Sequence, residues 1–165
     1  MTQRLTTTTH PSPTPHLDGS RGQGPTVQLL LTKGASIHAV DRFGFTPLND
    51  AIVGKHLDVI KMLVDCGSKL QHMGPGEIGS TMCKNAFKND TAALEALLAA
   101  GVDCNAADYD GRTGLMVAAA QGAVETAKML LEQPGIDASR KDIGGATAAE
   151  EAQKHNQPLI VALFK

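Results

Sequence analysis

Residues 41 to 70 and residues 108 to 137 are written in one pattern. Asp41, Gly44, Thr46 and Leu48 fall on Asp108, Gly111, Thr113 and Leu115, and Lys61-Met62-Leu63 falls on Lys128-Met129-Leu130. The offset of 67 residues is one period of 33 plus one of 34. A period in this range means a stack of supersecondary units, none of which can bury its apolar face alone. Function in such a stack belongs on the outer surface of neighbouring units, not in a closed pocket.

The same register continues in both directions. Gly34, Gly67 and Gly101 each follow an apolar run, Val27 to Leu31, Val59 to Val64 and Leu94 to Leu98. A further copy opens at Asp142 to Thr147 and reaches Lys165 inside its second apolar run, Leu159 to Phe164. Ahead of Val27, Thr14-Pro15-His16-Leu17 fits a first copy short of one residue. The chain therefore reads as a Thr- and Pro-rich tail, 1–12, followed by one repeat domain, 13–165. Its divisions are a degenerate 13–40, then 41–73, 74–107, 108–141 and a truncated 142–165.

Each unit carries helical spacing twice. In the clearest copy Thr46 caps the first helix and Pro47 occupies its first position, where no donor is lost. Leu48, Ala51 and Ile52 then give the i, i+3, i+4 pattern. Gly54-Lys55-His56 breaks that helix, and Leu57 to Cys66 forms a second with Val59, Ile60, Leu63 and Val64 on one face. Gly67 sits where a left-handed residue closes a helix. The segments around Asp41 and Asp108 are too polar and Gly-punctuated to be helical. They read as projecting turns in which an Asp side chain bonds its own backbone two residues on.

These residues resemble the ankyrin repeats. Asp41-x-x-Gly44-x-Thr46-Pro47-Leu48 and Asp108-x-x-Gly111-x-Thr113-x-Leu115 are similar to that family's opening signature. Val117 to Gly122 is similar to its first helix, Lys128-Met129-Leu130-Leu131 to its second, and Gly101 to Ala106 to its closing segment. The resemblance covers 14–165. It implies an all-α solenoid of helix-turn-helix units with short β-hairpin fingers, whose finger tips and concave face bind a protein partner. It also implies that Asn105 stands where some members carry a hydroxylated asparagine, with Cys104 before it.

Departures from the family pattern fall at definite places. The usual His after Thr-Pro-Leu is replaced by Asn49, Cys83, Met116 and Glu150, and the Pro by Thr81, Gly114 and Ala148. Met73 to Gly79 replaces the finger of the third unit, and Pro134 is an extra residue after the fourth. Gly114 in a first helical turn costs up to about 1 kcal/mol relative to Ala.

The net charge of −2 gives no drive toward nucleic acid or an anionic membrane surface. No apolar stretch approaches the roughly 20 residues that span a bilayer. Cys66, Cys83 and Cys104 are odd in number and widely spaced, which favours a reducing cytoplasm, with the nucleus also open. Cys66 and Cys104 read as small buried hydrophobes. No C-x2-C or H-x3-H pair suggests a metal, and no cofactor is implied. The tail lacks the apolar run of a signal peptide and is expected to be disordered. Ser12-Pro13 and Thr14-Pro15 fit proline-directed phosphorylation.

Catalytic signatures are missing: no G-x-S-x-G, no Walker lysine motif, no H-E-x-x-H. The expectation is a non-enzymatic, monomeric module that holds a protein. Of five aromatics, Phe164 reads as core or cap, whereas Phe43, Phe45 and Tyr109 lie in fingers and Phe87 late in a first helix. Aromatics make good anchors because they cover much area at low entropic cost. Arg42 and Arg112 can grip a carboxylate through two parallel bonds. With Lys88 and Asp110 these complete the expected partner-binding set: Arg42, Phe43, Phe45, Phe87, Lys88, Tyr109, Asp110 and Arg112. The partner would be acidic and apolar. An alternative is a detached regulatory or assembly segment of a larger enzyme or channel, since the Asp41 and Asp108 motifs are similar to ankyrin arrays appended to glutaminases and plant potassium channels.

Overall fold

The computed structural model describes residues 23–70 and 73–165 of the 165-residue chain. The 1–12 tail, its Ser/Thr-Pro sites and the Thr14 to Leu17 motif lie outside the described residues. The protein divides into two compact units, one ending at Ser68 and the other running from Lys69 to Lys165. Among the described residues it is helical, with one isolated β-bridge between Ala107 and Thr113.

The first unit holds α1 (Gly24–Thr32), α2 (Pro47–Val53) and α3 (Leu57–Asp65). Thr46 begins α2 as its sequence requires: its Oγ1 accepts the Asn49 N–H, and the Asn49 Oδ1 accepts the Thr46 N–H at 2.9 Å. Two of the orphan donors at the helix start are thereby satisfied. Val27, Leu48, Ala51, Val59, Ile60 and Leu63 are completely buried and form this unit's core.

The second unit holds α4 (Pro75–Phe87), α5 (Thr91–Ala99), α6 (Gly114–Gln121), α7 (Val124–Leu131), α8 (Ala148–Lys154) and α9 (Pro158–Val161), closed by a 3-10 turn at Ala162–Phe164. The pairs are α4 with α5, α6 with α7 and α8 with α9. First helices pack side by side in the order α4, α6, α8, and second helices in the order α5, α7, α9. Met82, Leu94, Leu115, Met116, Leu130 and Ile160 fill the layers between them. Thr113 and Thr147 cap α6 and α8 as Thr46 caps α2.

The left-handed residues recur in register. Gly34, Gly67 and Gly101 have φ of 83°, 90° and 84° after the second helix of a pair. Lys55, Asn89, Gly122 and Asn156, at intervals of 34, 33 and 34 residues, have φ of 58°, 53°, 74° and 52° between the helices of a pair. Both breaks demand that conformation, and in the second set three positions adopt it without glycine.

Three features differ from expectation. The hairpin fingers are reduced to tight turns. In the third repeat α4 begins at Pro75, because Glu77 Oε2 accepts the Gly74 N–H at 2.8 Å and no Asp-anchored turn intervenes. Cys66 is exposed, not buried, since it lies just beyond the last turn of α3, while Cys83 and Cys104 are buried. Within the described residues, no helix is long and apolar enough to cross a membrane.

Candidate interaction surface

One turn design appears three times. Asp41 Oδ1 accepts the Phe43 N–H at 2.8 Å and the Phe45 N–H at 2.9 Å. Asp108 Oδ1 accepts the Asp110 N–H at 3.0 Å and the Arg112 N–H at 2.9 Å. Asp142 Oδ1 accepts the Ala146 N–H at 2.9 Å. In each, the Asp N–H also bonds the carbonyl four residues on, closing the loop through a glycine of positive φ: Gly44, Gly111 or Gly145. These bonds brace each turn from within, and Phe43, Tyr109 and Ile143 after the three Asp residues are exposed.

In the first unit this design groups Arg42, Phe43 and Phe45. Phe43 is 68% exposed and Phe45 48%. The Arg42 guanidinium carbon stands 4.7 Å from the centroid of the Phe43 ring, a cation–π contact. Val40 beside them is exposed as well.

In the second unit Tyr109 is 73% exposed, yet one face of its ring lies on α4. A Cβ at Gly76 would come within 2.6 Å of the ring, and a Cβ at Gly79 would overlap the Ala107 carbonyl. Gly76 and Gly79, one helical turn apart, are thus the seat of the 107–113 turn. The Ile143 N–H donates to the Asp110 carbonyl at 3.0 Å and ties this turn to the next. Asp110 is itself exposed. Ile143, 78% exposed, was missed by sequence reasoning. The available signal was its place directly after Asp142, equivalent to Arg42 after Asp41 and Tyr109 after Asp108.

Phe87 and Lys88 are exposed but stand apart from Tyr109. Phe87 ends α4 whereas Gly76, under the Tyr109 ring, lies in its first turn, a separation of about 16 Å along the axis. Arg112 is turned toward its own chain: Nη2 lies 3.4 Å from Oε2 of the buried Glu151, and only 34% of the side chain is accessible. Its carbonyl accepts the Cys83 thiol at 3.2 Å. Burial, and after it the negative charge of Asp108, push that thiol up to about 12, which suits a core residue and not a nucleophile.

From Gly114 to Ala120 every residue of α6 is buried, so this first helix offers a partner only Gln121 at its end. The accessible parts of the expected surface are the turns and, apart from them, Phe87 and Lys88 at the end of α4. Asn105 spans two loops, its Nδ2 donating to the Gly135 carbonyl at 2.8 Å and its Oδ1 accepting the Asp137 N–H at 2.7 Å.

Comparison with known proteins bears on the family. Two family profiles, each described as Ankyrin repeats (many copies), match residues 97–152 and 20–64. The chain is 31% identical over 91% of its length to L-asparaginase of Dirofilaria immitis, covering 25% of that protein. It is 31% identical over 70% of its length to Potassium channel AKT2/3 of Arabidopsis thaliana, covering 14%. With the mitochondrial Glutaminase liver isoform of Rattus norvegicus it shares 34% identity over 48% of its length, 13% of that protein. It spans a quarter or less of each of these relatives. Ankyrin repeats in general serve protein interaction, and the repeat register, the paired helices and the two profile matches make this chain a member of the ankyrin repeat family.

Proposed function

We propose that the chain is a non-catalytic, monomeric interaction module that holds a protein partner at its turn tips. The carrying observation is that Phe43 and Tyr109 are 68% and 73% exposed on turns whose backbones are internally braced. Large side chains held out on a fixed backbone lose little entropy on docking. The tip residues are Arg42, Phe43 and Phe45 in one unit and Tyr109, Asp110 and Ile143 in the other. The repeat divisions at 41, 74, 108 and 142 and a cytoplasmic setting belong to the same proposal. Affinity capture from the native cell tests it with Phe43→Ser/Phe45→Ser and, separately, Tyr109→Ser/Ile143→Ser. At least one pair removes the captured partner while the circular dichroism spectrum is kept. Capture undiminished by both pairs overturns it.

The second reading is a regulatory or assembly segment belonging to a larger enzyme or channel. The matches to L-asparaginase and Potassium channel AKT2/3, of which the chain spans 25% and 14%, favour it. Full-length transcript sequencing distinguishes the two: a reading frame continuing into a catalytic or pore segment supports the second.

A further inference from the structure

We infer that the 41–45 turn is a docking point for an acidic peptide segment of another protein whose carboxylates are flanked by apolar side chains. This rests on the interaction reading above and gives that partner its chemistry.

The charge balance of the turn points to the sign of the partner. Between His38 and Asn49 the charged residues are Asp41 and Arg42. Asp41 is half-buried and its Oδ1 accepts two backbone N–H groups, so this carboxylate serves the turn. Arg42 is exposed, and among the described residues no carboxylate pairs with it. Its contact with the Phe43 ring, at 4.7 Å, restrains the guanidinium while the residue stays exposed. A guanidinium restrained in this way binds a carboxylate through two parallel bonds at reduced entropic cost.

Arg112 supplies the contrast within the same chain. It was an equal candidate by sequence, but its Nη2 already faces Glu151 at 3.4 Å, and it is the less accessible of the two. The internal acid that would compete for Arg42 is missing among the described residues.

Apolar area decides how much of the binding is charge. A lone exposed ion pair, screened by water, contributes too little to hold a partner. Val40, Phe43 and Phe45, each close to half exposed or more, surround Arg42 in the sequence and supply the area to be covered. Covering them removes water from around the guanidinium and strengthens its pairing. The segment that fits therefore alternates acidic and large apolar side chains.

The test uses the full chain and a fluorescein-labelled synthetic peptide alternating glutamate with leucine and phenylalanine. Its control replaces every glutamate by glutamine. The acidic peptide is expected to bind about tenfold more tightly than the control or better, and Arg42→Glu to weaken it by about tenfold or more. Arg42→Lys keeps the charge but loses the fork and is expected to weaken it severalfold. Phe43→Ser/Phe45→Ser also removes binding. Equal affinity for the two peptides, no binding of either, or indifference to Arg42→Glu in a chain of unchanged circular dichroism overturns the inference. Native capture separates the two claims. Loss with the Phe pair but not with Arg42→Glu ends the acidic assignment and leaves the interaction reading standing. Indifference to the Phe pair, and to Tyr109→Ser/Ile143→Ser as well, ends that reading too.

Discussion

Arg112 Nη2 lies 3.4 Å from Oε2 of Glu151, a side chain almost wholly buried on α8. Lys154 Nζ is 3.2 Å from the other oxygen and His155 Nε2 is 3.5 Å from Oε2. The Arg112 contact is longer than a good charge-assisted bond, and its buried Nε has no hydrogen-bond partner. A third of the side chain is also in water, which screens the pair. Arg112→Met is therefore expected to lower stability by only about 1 kcal/mol, because Lys154 and His155 still face Glu151. Urea unfolding of the single variants and of Arg112→Met/Glu151→Gln checks it: the double variant should lose less than the sum of the singles.

Gly79 and Gly114 both lie in helices, yet the same substitution should act on them in opposite directions. A Cβ at Gly79 would overlap the Ala107 carbonyl, a backbone atom that moves only if the 107–113 turn moves. Gly79→Ala is expected to cost about 2 kcal/mol or more. At Gly114 a Cβ would meet Leu130 Cδ1 at 3.6 Å and the Met82 carbonyl at 3.7 Å, ordinary contact distances. Gly114→Ala is expected to add about 0.5–1 kcal/mol. Urea midpoints of the two variants settle the signs.

Lys55 holds a φ of 58° at a position where the equivalent residue of a later unit is Gly122. A side chain in this region costs about 1–2 kcal/mol, partly offset because glycine frees the unfolded chain. Lys55→Gly should thus raise stability by about 0.5–1 kcal/mol, read as a shifted urea midpoint at unchanged slope.

The three cysteines should separate by reactivity. Cys66 is exposed and reacts first with an aromatic disulfide reagent; Cys83 and Cys104 react only on unfolding. Burial raises both of the latter thiols above the ordinary value of 9.0. For Cys83 the unfolded thiol loses its proton near pH 9.0 and the folded one near 12. The unfolded chain therefore binds fewer protons in that window. Stability should be insensitive to Cys83 below pH 9 and decline between 9 and 12. Cys83→Ala flattens that limb of a stability-against-pH curve, and an unchanged slope would count against the assignment.

Much of this architecture is local in origin and so legible from sequence. Thr46-Pro47 opens α2, Gly54-Lys55-His56 separates it from α3, and Gly67 closes α3, each within four residues of the chemistry that causes it. The Asp turns are legible for the same reason, since donor and acceptor lie two to four residues apart. What escaped was non-local. Nothing near Arg112 announces that Glu151, thirty-nine residues on, will face it. Gly76 and Gly79 read only as part of the Met73 to Gly79 segment that replaces a finger, whereas they are the places where another segment comes too close for a Cβ. Cys66 was assigned to the core by residue type, but the helix phase places it outside.

The Asp-braced turn has a consequence for how recognition can change. Asp41, Asp108 and Asp142 hold nearly the same loop, while the two residues after them are Arg42-Phe43, Tyr109-Asp110 and Ile143-Gly144. Scaffold and message are written in separate letters. A designer who retains the aspartate and the glycine can rewrite the intervening pair and alter what the molecule recognises without relearning how it folds.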